Sequence, residues 1–195
     1  MSRKHTSVLC LLLCLGAQTG QATVCEARFT TSPQIGRNWQ TVFFKEIYKR
    51  SSIAGIGGLK QTKFTHDDVG LRVWIGFGPT SLKGFVVIRK KGQWSGVYLR
   101  PITKTLAREN YQQILAAPKS GWEKMWQKLV DKDILKLSGM PESDWTDGES
   151  IVVEVKKGAR YRTYMYDNPQ LQTSEEAQRI LAIVQYLRDQ FAIPG

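Results

Sequence analysis

The sequence predicts an α+β fold, with one antiparallel sheet of about five strands in hairpins packed against two or three amphipathic helices. Two observations favour this class. Glycine-containing turns join pairs of short apolar segments, as in β-hairpins. Segments with apolar residues at helical spacing stand in blocks beside these strands, which is typical of α+β proteins and not of parallel α/β proteins. The chain of 195 residues is long enough to bury its own core.

The first predicted elements are a helix and a strand. Apolar side chains at helical spacing predict the helix over residues 38–50; they are Trp39, Val42, Phe43 and Ile47. Apolar residues that alternate with Arg72, Trp74 and Gly76 predict a half-buried strand over residues 71–77. Between them, residues 55–60 hold three glycines and a lysine but lack the Gly-Lys-Ser/Thr ending of a phosphate-binding loop.

Two predicted hairpins share the turn sequence Lys-Lys-Gly, in which glycine permits the positive φ that tight turns need. Their strands and turns are residues 85–89, 90–92 and 94–100 in the first hairpin, and residues 151–155, 156–158 and 161–166 in the second. Both pairs of strands are short and apolar enough to belong to one antiparallel sheet.

Two further helices are each predicted to begin with a capping box, in which a hydroxyl and a carboxylate satisfy the first backbone N–H groups. Ser120 and Glu123 precede one helix, and Thr173 and Glu176 precede the other. Apolar residues follow at helical spacing: Trp122, Met125, Trp126, Leu129 and Val130 in the first, and Ala177, Ile180, Leu181, Val184, Leu187 and Phe191 in the second. Each helix therefore has one face for a core.

The N-terminal segment, residues 1–22, is typical of a cleavable signal peptide. Its parts are basic Arg3 and Lys4, an uncharged apolar run at residues 8–15, and small residues Gly20 and Ala22 before the cut. The run is shorter than the roughly 20 residues that span a membrane. We expect one mature domain over residues 23–195, periplasmic or secreted, with no transmembrane segment after signal cleavage.

Cysteine usage indicates no disulfide framework. Two of the three cysteines lie in the apolar run, which leaves Cys25 as the only thiol of the exported domain. Lipid anchoring is disfavoured, because a lipobox needs a small residue before its cysteine, whereas Leu13 precedes Cys14 and Val24 precedes Cys25.

The charge balance is strongly basic, with a formal net charge of +11 at pH 7. Removing the signal takes two cations and no acid, so 28 − 2 = 26 basic residues remain against 17 acidic ones, a net charge of about +9. An exported basic domain favours an anionic envelope component, such as lipid headgroups or cell-wall polymers, or an acidic protein. Export argues against nucleic acid as the partner.

Catalytic signals are sparse. His66 is the only histidine of the mature segment, and it stands beside Asp67 and Asp68. Neighbours on a strand face opposite ways, and no second histidine or cysteine completes a metal site. No Gly-x-Ser-x-Gly motif is present. We expect His66 in a surface turn, and we predict no catalytic residue, bound metal or cofactor.

The candidate binding residues cluster in the second hairpin: Lys156, Lys157, Arg160, Arg162, Tyr164 and Tyr166. The last four share one strand face, where guanidinium groups can pair with carboxylates or phosphates and tyrosines supply contact area. The alternative is a solvated face whose tyrosines are covered by the last helix. The lysines of both turns would add to the positive field if the turns lie together.

Several segments stand along the chain in a distinctive order: residues 71–78, residues 92–95, Trp122, Asp147-Gly148, Val153-Glu154, Tyr161-Arg162 and Asn168-Pro169. This combination resembles a group of uncharacterised bacterial secreted proteins. The resemblance implies an exported α+β domain without an assigned activity, and it carries over no catalytic residue.

Our main functional hypothesis is a non-catalytic binding or interaction module that uses a basic aromatic surface for an anionic partner. A small envelope hydrolase that uses Glu154 or Asp147 with His66 is one alternative. An inhibitor or immunity-type protein that neutralises a secreted enzyme is another.

Overall fold

The computed structural model describes residues 39–77, 80–102, 111–139 and 148–195. The helices are α1 (Trp39–Ile53), α2 (Trp122–Asp131) and α3 (Glu175–Phe191), with one turn of 3₁₀-helix at Pro169–Leu171. The strands are β1 (Val69–Phe77), β2 (Thr80–Lys90), β3 (Gln93–Leu99), β4 (Gln112–Ile114), β5 (Ser150–Lys157) and β6 (Arg160–Tyr166). The predicted signal peptide, Cys25 and Asp147 lie outside the described residues.

The strands form one antiparallel sheet in the order β4-β3-β2-β1-β5-β6. The predicted α+β fold is confirmed, with six strands in the described residues. The strand β4, three residues long, was not predicted, because it is too short to show an alternating pattern. The central strand β1 pairs with one strand of each predicted hairpin, and this pairing joins the two hairpins into one sheet.

Both predicted hairpins are present. In the first turn Lys91 and Gly92 have φ values of 51° and 76°, and two positive values in a two-residue turn are typical of type I′. In the second turn Gly158 has a φ of 56°. Lys90 and Lys157 are the last residues of β2 and β5. The two-residue turns are therefore Lys91-Gly92 and Gly158-Ala159, and both are tighter than the Lys-Lys-Gly pattern implied.

The helices α2 and α3 cover one face of the sheet and enclose the larger core. Buried members from the three layers include Met125, Leu129, Val73, Val153 and Ile180. This is the amphipathic packing that the helical spacing predicted.

Both predicted capping boxes are wrong by one residue. The residue before α2 is Gly121, which offers no side-chain cap, and the hydroxyl of Ser120 instead donates to Gln190 Oε1 at 2.8 Å. The cap of α3 is Ser174, whose hydroxyl accepts from the backbone N–H of Ala177. At α3 the neighbouring Thr173 and Ser174 carry the same capping chemistry, so the sequence pattern alone does not select between them.

The helix α1 covers the opposite face of the sheet, and this corrects the prediction of a half-buried strand at residues 71–77. Phe43 and Ile47 of α1 pack in a second core with Trp74 of β1, and β1 is buried at every position. A side chain at Gly84 would approach Trp74 to 2.8 Å, so glycine there makes room for the indole. Alternate side chains of β1 therefore point to opposite faces of the sheet, and both faces are buried.

Candidate functional site

Two of the predicted binding residues, Tyr164 and Tyr166, lie in the larger core, at 3% and 0% exposure. The hydroxyl of Tyr164 donates to the carbonyl of Ile134 at 2.8 Å, and that of Tyr166 donates to Glu176 at 3.1 Å. Burial raises the pKa of Tyr164 well above its ordinary value, so its phenol remains a neutral donor. Neither tyrosine is accessible to a partner.

Arg162 shares their strand face but is directed towards the protein. Its Nη1 donates to the carbonyl of Leu135 at 3.0 Å, and its guanidinium lies 5.8 Å from the centre of the Tyr164 ring. Arg162 therefore supports the segment after α2.

Lys156 points to the other side of the sheet, under the segment that follows α1. Its ammonium donates to the carbonyls of Lys60 and Thr62 at 2.6 and 2.9 Å, and desolvation lowers its pKa. Because it is 8% exposed, Lys156 contributes to the fold and little to an outer surface. Of the six candidates, Lys157 and Arg160 are exposed.

The structure brings these two cations into a row with residues from the first hairpin. Directly paired residues of five strands form it: Trp94, Arg89, Val69, Lys157 and Arg160. Neighbouring strands are about 4.8 Å apart, so the row is about 19 Å long. Lys90 and Lys91 follow Arg89 at the same end of the sheet. We call Arg89, Lys90, Lys91, Lys157 and Arg160 the cationic end.

Asp68 holds the two turns of the cationic end together. Its carboxylate accepts from the backbone N–H of Lys91 at 2.8 Å and of Thr65 at 2.7 Å, and its carbonyl accepts from Gly158 at 3.0 Å. The backbone N–H groups of Thr65 and Lys91 hold the pKa of Asp68 below its ordinary value of 3.8. The carboxylate of Asp68 is thus hydrogen-bonded to backbone N–H groups. Because these groups and Gly158 belong to both turns and the segment between α1 and β1, the two turns lie side by side.

One cation of this end is anchored. Arg89 forms an ion pair with Glu123 at 3.2 Å and lies 5.4 Å from the centre of the Trp94 ring. The indole of Trp94 donates to Glu123 at 2.7 Å and stacks on Trp122 at 5.8 Å. Trp94 therefore contacts both Arg89 and Trp122, and these contacts together with the ion pair fix the position of Arg89.

The other four cations are free of such pairing. Within the part of the chain that the structure describes, no carboxylate pairs with Lys90, Lys91, Lys157 or Arg160. Lys157 and Arg160 are also direct partners across β5 and β6, where like charges repel. Lys157 and Arg160 are thus exposed like charges, and neither forms an ion pair within the described ranges.

The hydrolase alternative requires His66 and Glu154 or Asp147 to lie together, and the described residues do not show such a site. The His66 side chain is 95% exposed, with Nδ1 3.1 Å from an oxygen of Asp67, so the predicted surface turn is confirmed. Glu154 is buried, and its two oxygens accept from the indole of Trp74 and the hydroxyl of Tyr161, each at 2.8 Å. The described residues also contain no cluster of three or more side chains suited to a metal ion.

No family model and no curated protein matches the chain. None of the helices among the described residues is long and apolar enough to cross a membrane.

Sequence reasoning included Lys90 and Lys91 of the first hairpin only on the condition that the two turns lie together, and it missed Arg89 and Trp94. Arg89 and Trp94 reach the site through the pairing of β1 with both hairpins, a long-range arrangement that no local pattern reveals. The signal that could have indicated it is the repeated Lys-Lys-Gly turn, because two hairpins beside one central strand can place their turns at the same end.

Proposed function

We propose that this chain is an exported, non-catalytic binding protein whose cationic end contacts an anionic component of the cell envelope. The observation that carries the proposal is the row of paired residues that unites Arg89, Lys157 and Arg160. Four of the five cations at this end form no ion pair with an acid of the described residues, so their field is available to a ligand.

Export is the second part of the proposal, and it rests on the N-terminal pattern of basic, apolar and small residues. Sequencing the N-terminus of the protein isolated from cells tests it. We expect the mature chain to begin at Thr23. An intact chain that begins at Met1 and stays inside the cell would contradict it.

The binding test uses phosphatidylglycerol–phosphatidylethanolamine vesicles, with phosphatidylcholine vesicles for comparison. Each basic side chain near an anionic surface contributes about 1 kcal/mol. The double variant Lys157→Gln/Arg160→Gln should therefore bind anionic vesicles about 30-fold more weakly than the wild type. Binding should also weaken as salt rises.

The matched control is Lys45→Gln/Lys49→Gln, which removes the same charge from two exposed positions of α1. It should retain nearly wild-type affinity. Equal losses in both double variants would mean that net charge alone drives binding, and binding to poly-glutamate but not to vesicles would favour an acidic protein as the partner.

A further inference from the structure

Two cations of the cationic end, Lys157 and Arg160, stand directly opposite each other, and we call them the cationic pair. They are paired residues of β5 and β6, so their Cβ atoms are about 5 Å apart on one face of the sheet. Both residues are exposed. Lys90, by contrast, pairs with Gln93. The cationic pair therefore places two positive charges side by side, where one ligand group can contact both.

The turn between the two members of the cationic pair is held by the segment that precedes β1. Gly158, the first residue of this turn, has a φ of 56°. Its N–H donates to the carbonyl of Asp68 at 3.0 Å, and a Cβ atom at Gly158 would lie 3.4 Å from Cα of His66. The backbone that carries the pair is therefore fixed before a ligand binds, which lowers the entropic cost of binding.

The charged groups of the cationic pair keep their hydrogen-bonding capacity. Among the described residues, no hydrogen bond or ion pair joins either charged group to another side chain or to the backbone. Arg162, by contrast, donates to the carbonyl of Leu135. Asp67, an exposed acid of the adjoining segment, interacts with His66 at 3.1 Å. An ammonium has three N–H donors and a guanidinium five, so a partner of the pair must supply several acceptor oxygens.

These donors and charges match a phosphomonoester better than a phosphodiester. A phosphomonoester has three acceptor oxygens and a charge of about −1.5 to −2 at pH 7. A phosphodiester uses one of these oxygens for its second ester bond and cannot take the second charge. A guanidinium binds two phosphate oxygens through parallel N–H groups, and a lysine ammonium binds phosphate as a point charge. One phosphomonoester can therefore accept from both cations and balance both charges.

We infer that the cationic pair binds a phosphomonoester group, which is the chemistry shared by lipid headgroups such as phosphatidic acid and by free phosphate esters. The inference rests on the proposed function, because it names the anionic group that the cationic end contacts. It assigns the choice between anions to Lys157 and Arg160. Lys90 and Lys91 then add attraction to any negative surface.

Two kinds of vesicle test the inference, with compositions adjusted to equal zeta potential: one contains phosphatidic acid, a phosphomonoester, and the other phosphatidylglycerol, a phosphodiester. We expect the protein to bind the phosphatidic acid vesicles about fivefold more tightly. Equal affinity for both vesicles would overturn the inference and leave the proposed function standing. Binding to neither vesicle would contradict the proposed function itself.

Glycerol 3-phosphate, added as a competitor to the phosphatidic acid vesicles, distinguishes a headgroup from a free ester. Displacement of the protein at an ester concentration near that of the lipid supports the inference with a free phosphate ester as the ligand. Displacement only at about 100-fold excess supports it with the lipid headgroup, because neighbouring headgroups add further attraction. Equal displacement by glycerophosphoglycerol, the corresponding diester, would overturn the inference.

Two double variants that remove equal charge from the cationic end locate the selectivity. Lys157→Gln/Arg160→Gln should bind both vesicles more weakly and lose the preference, so that its two affinities agree within about twofold. Lys90→Gln/Lys91→Gln should also bind both vesicles more weakly but keep the preference, because neither residue belongs to the cationic pair. A preference that survives in the first variant, or that is lost equally in both, would overturn the inference.

Discussion

Lys156 and Lys157 are neighbours on β5, yet they belong to two regions with opposite roles. Lys156 lies under the segment after α1, where two carbonyls accept from its ammonium, whereas Lys157 is exposed in the row of the cationic end. Strand alternation separates them. The comparison teaches that the net basic charge of this chain has a structural share, buried and hydrogen-bonded, and a free share that is available for binding.

The largest effect should come from breaking the buried ion pair of Arg72 and Glu154, whose side chains are 2% and 4% exposed. Glu154→Ala leaves Arg72 as an uncompensated buried cation and removes the acceptor of Trp74 and Tyr161. Breaking a buried pair in this way costs about 3–5 kcal/mol of unfolding free energy, which urea denaturation measures.

The matched control is Glu123→Ala at the cationic end. Its carboxylate pairs with Arg89 but is 66% exposed, and exposed pairs contribute about 0–1 kcal/mol. Equal losses of stability in Glu154→Ala and Glu123→Ala would contradict the distinction between buried structural charges and exposed charges.

The next effect contrasts the two neighbouring lysines. Lys156→Met removes the ammonium that donates to the carbonyls of Lys60 and Thr62, and the loss of a hydrogen bond from a charged group costs about 1.5–3 kcal/mol. Lys157→Met should change the free energy of unfolding by no more than about 0.5 kcal/mol, since Lys157 is exposed and faces a like charge. Parallel urea titrations compare the two variants. A larger loss of unfolding free energy in Lys157→Met than in Lys156→Met would contradict the assignment of Lys156 to the fold and of Lys157 to the surface.

Local patterns predicted the fold more fully than they predicted the site. Helical spacing and hairpin turns depend on residues close in sequence, so α2, α3 and both hairpins could be predicted. Alternation showed that Tyr164 and Tyr166 share a face with Arg160, and it left open whether the last helix covers them. The structure buries both tyrosines. The burial of Arg72 and Lys156 depends on how the segment after α1 packs on the sheet, and that is decided by tertiary contacts distant in sequence.

The smallest of the three stability effects concerns Asp68, which joins the two turns. Because its pKa in the folded protein lies below the ordinary 3.8, its contribution is present above that pH and is lost as pH falls through the folded value. Asp68→Asn should be less stable than the wild type at neutral pH, and the difference should shrink in acid.

Urea titrations from neutral pH to about pH 2 measure this dependence. Asp67→Asn is the control, because its side chain is 90% exposed beside His66. A stability difference for Asp68→Asn that stays constant over the whole pH range would show that the charge of Asp68 does not hold the turns.

The most direct test of the account compares the affinities of Lys156→Met and Lys157→Met for phosphatidylglycerol-containing vesicles, at a temperature where both are folded. The two variants lose the same charge at adjacent residues. We predict that Lys157→Met binds about fivefold more weakly than the wild type, as expected for the loss of about 1 kcal/mol, while Lys156→Met keeps wild-type affinity. Equal losses in both variants would contradict the separation of structural and free cations.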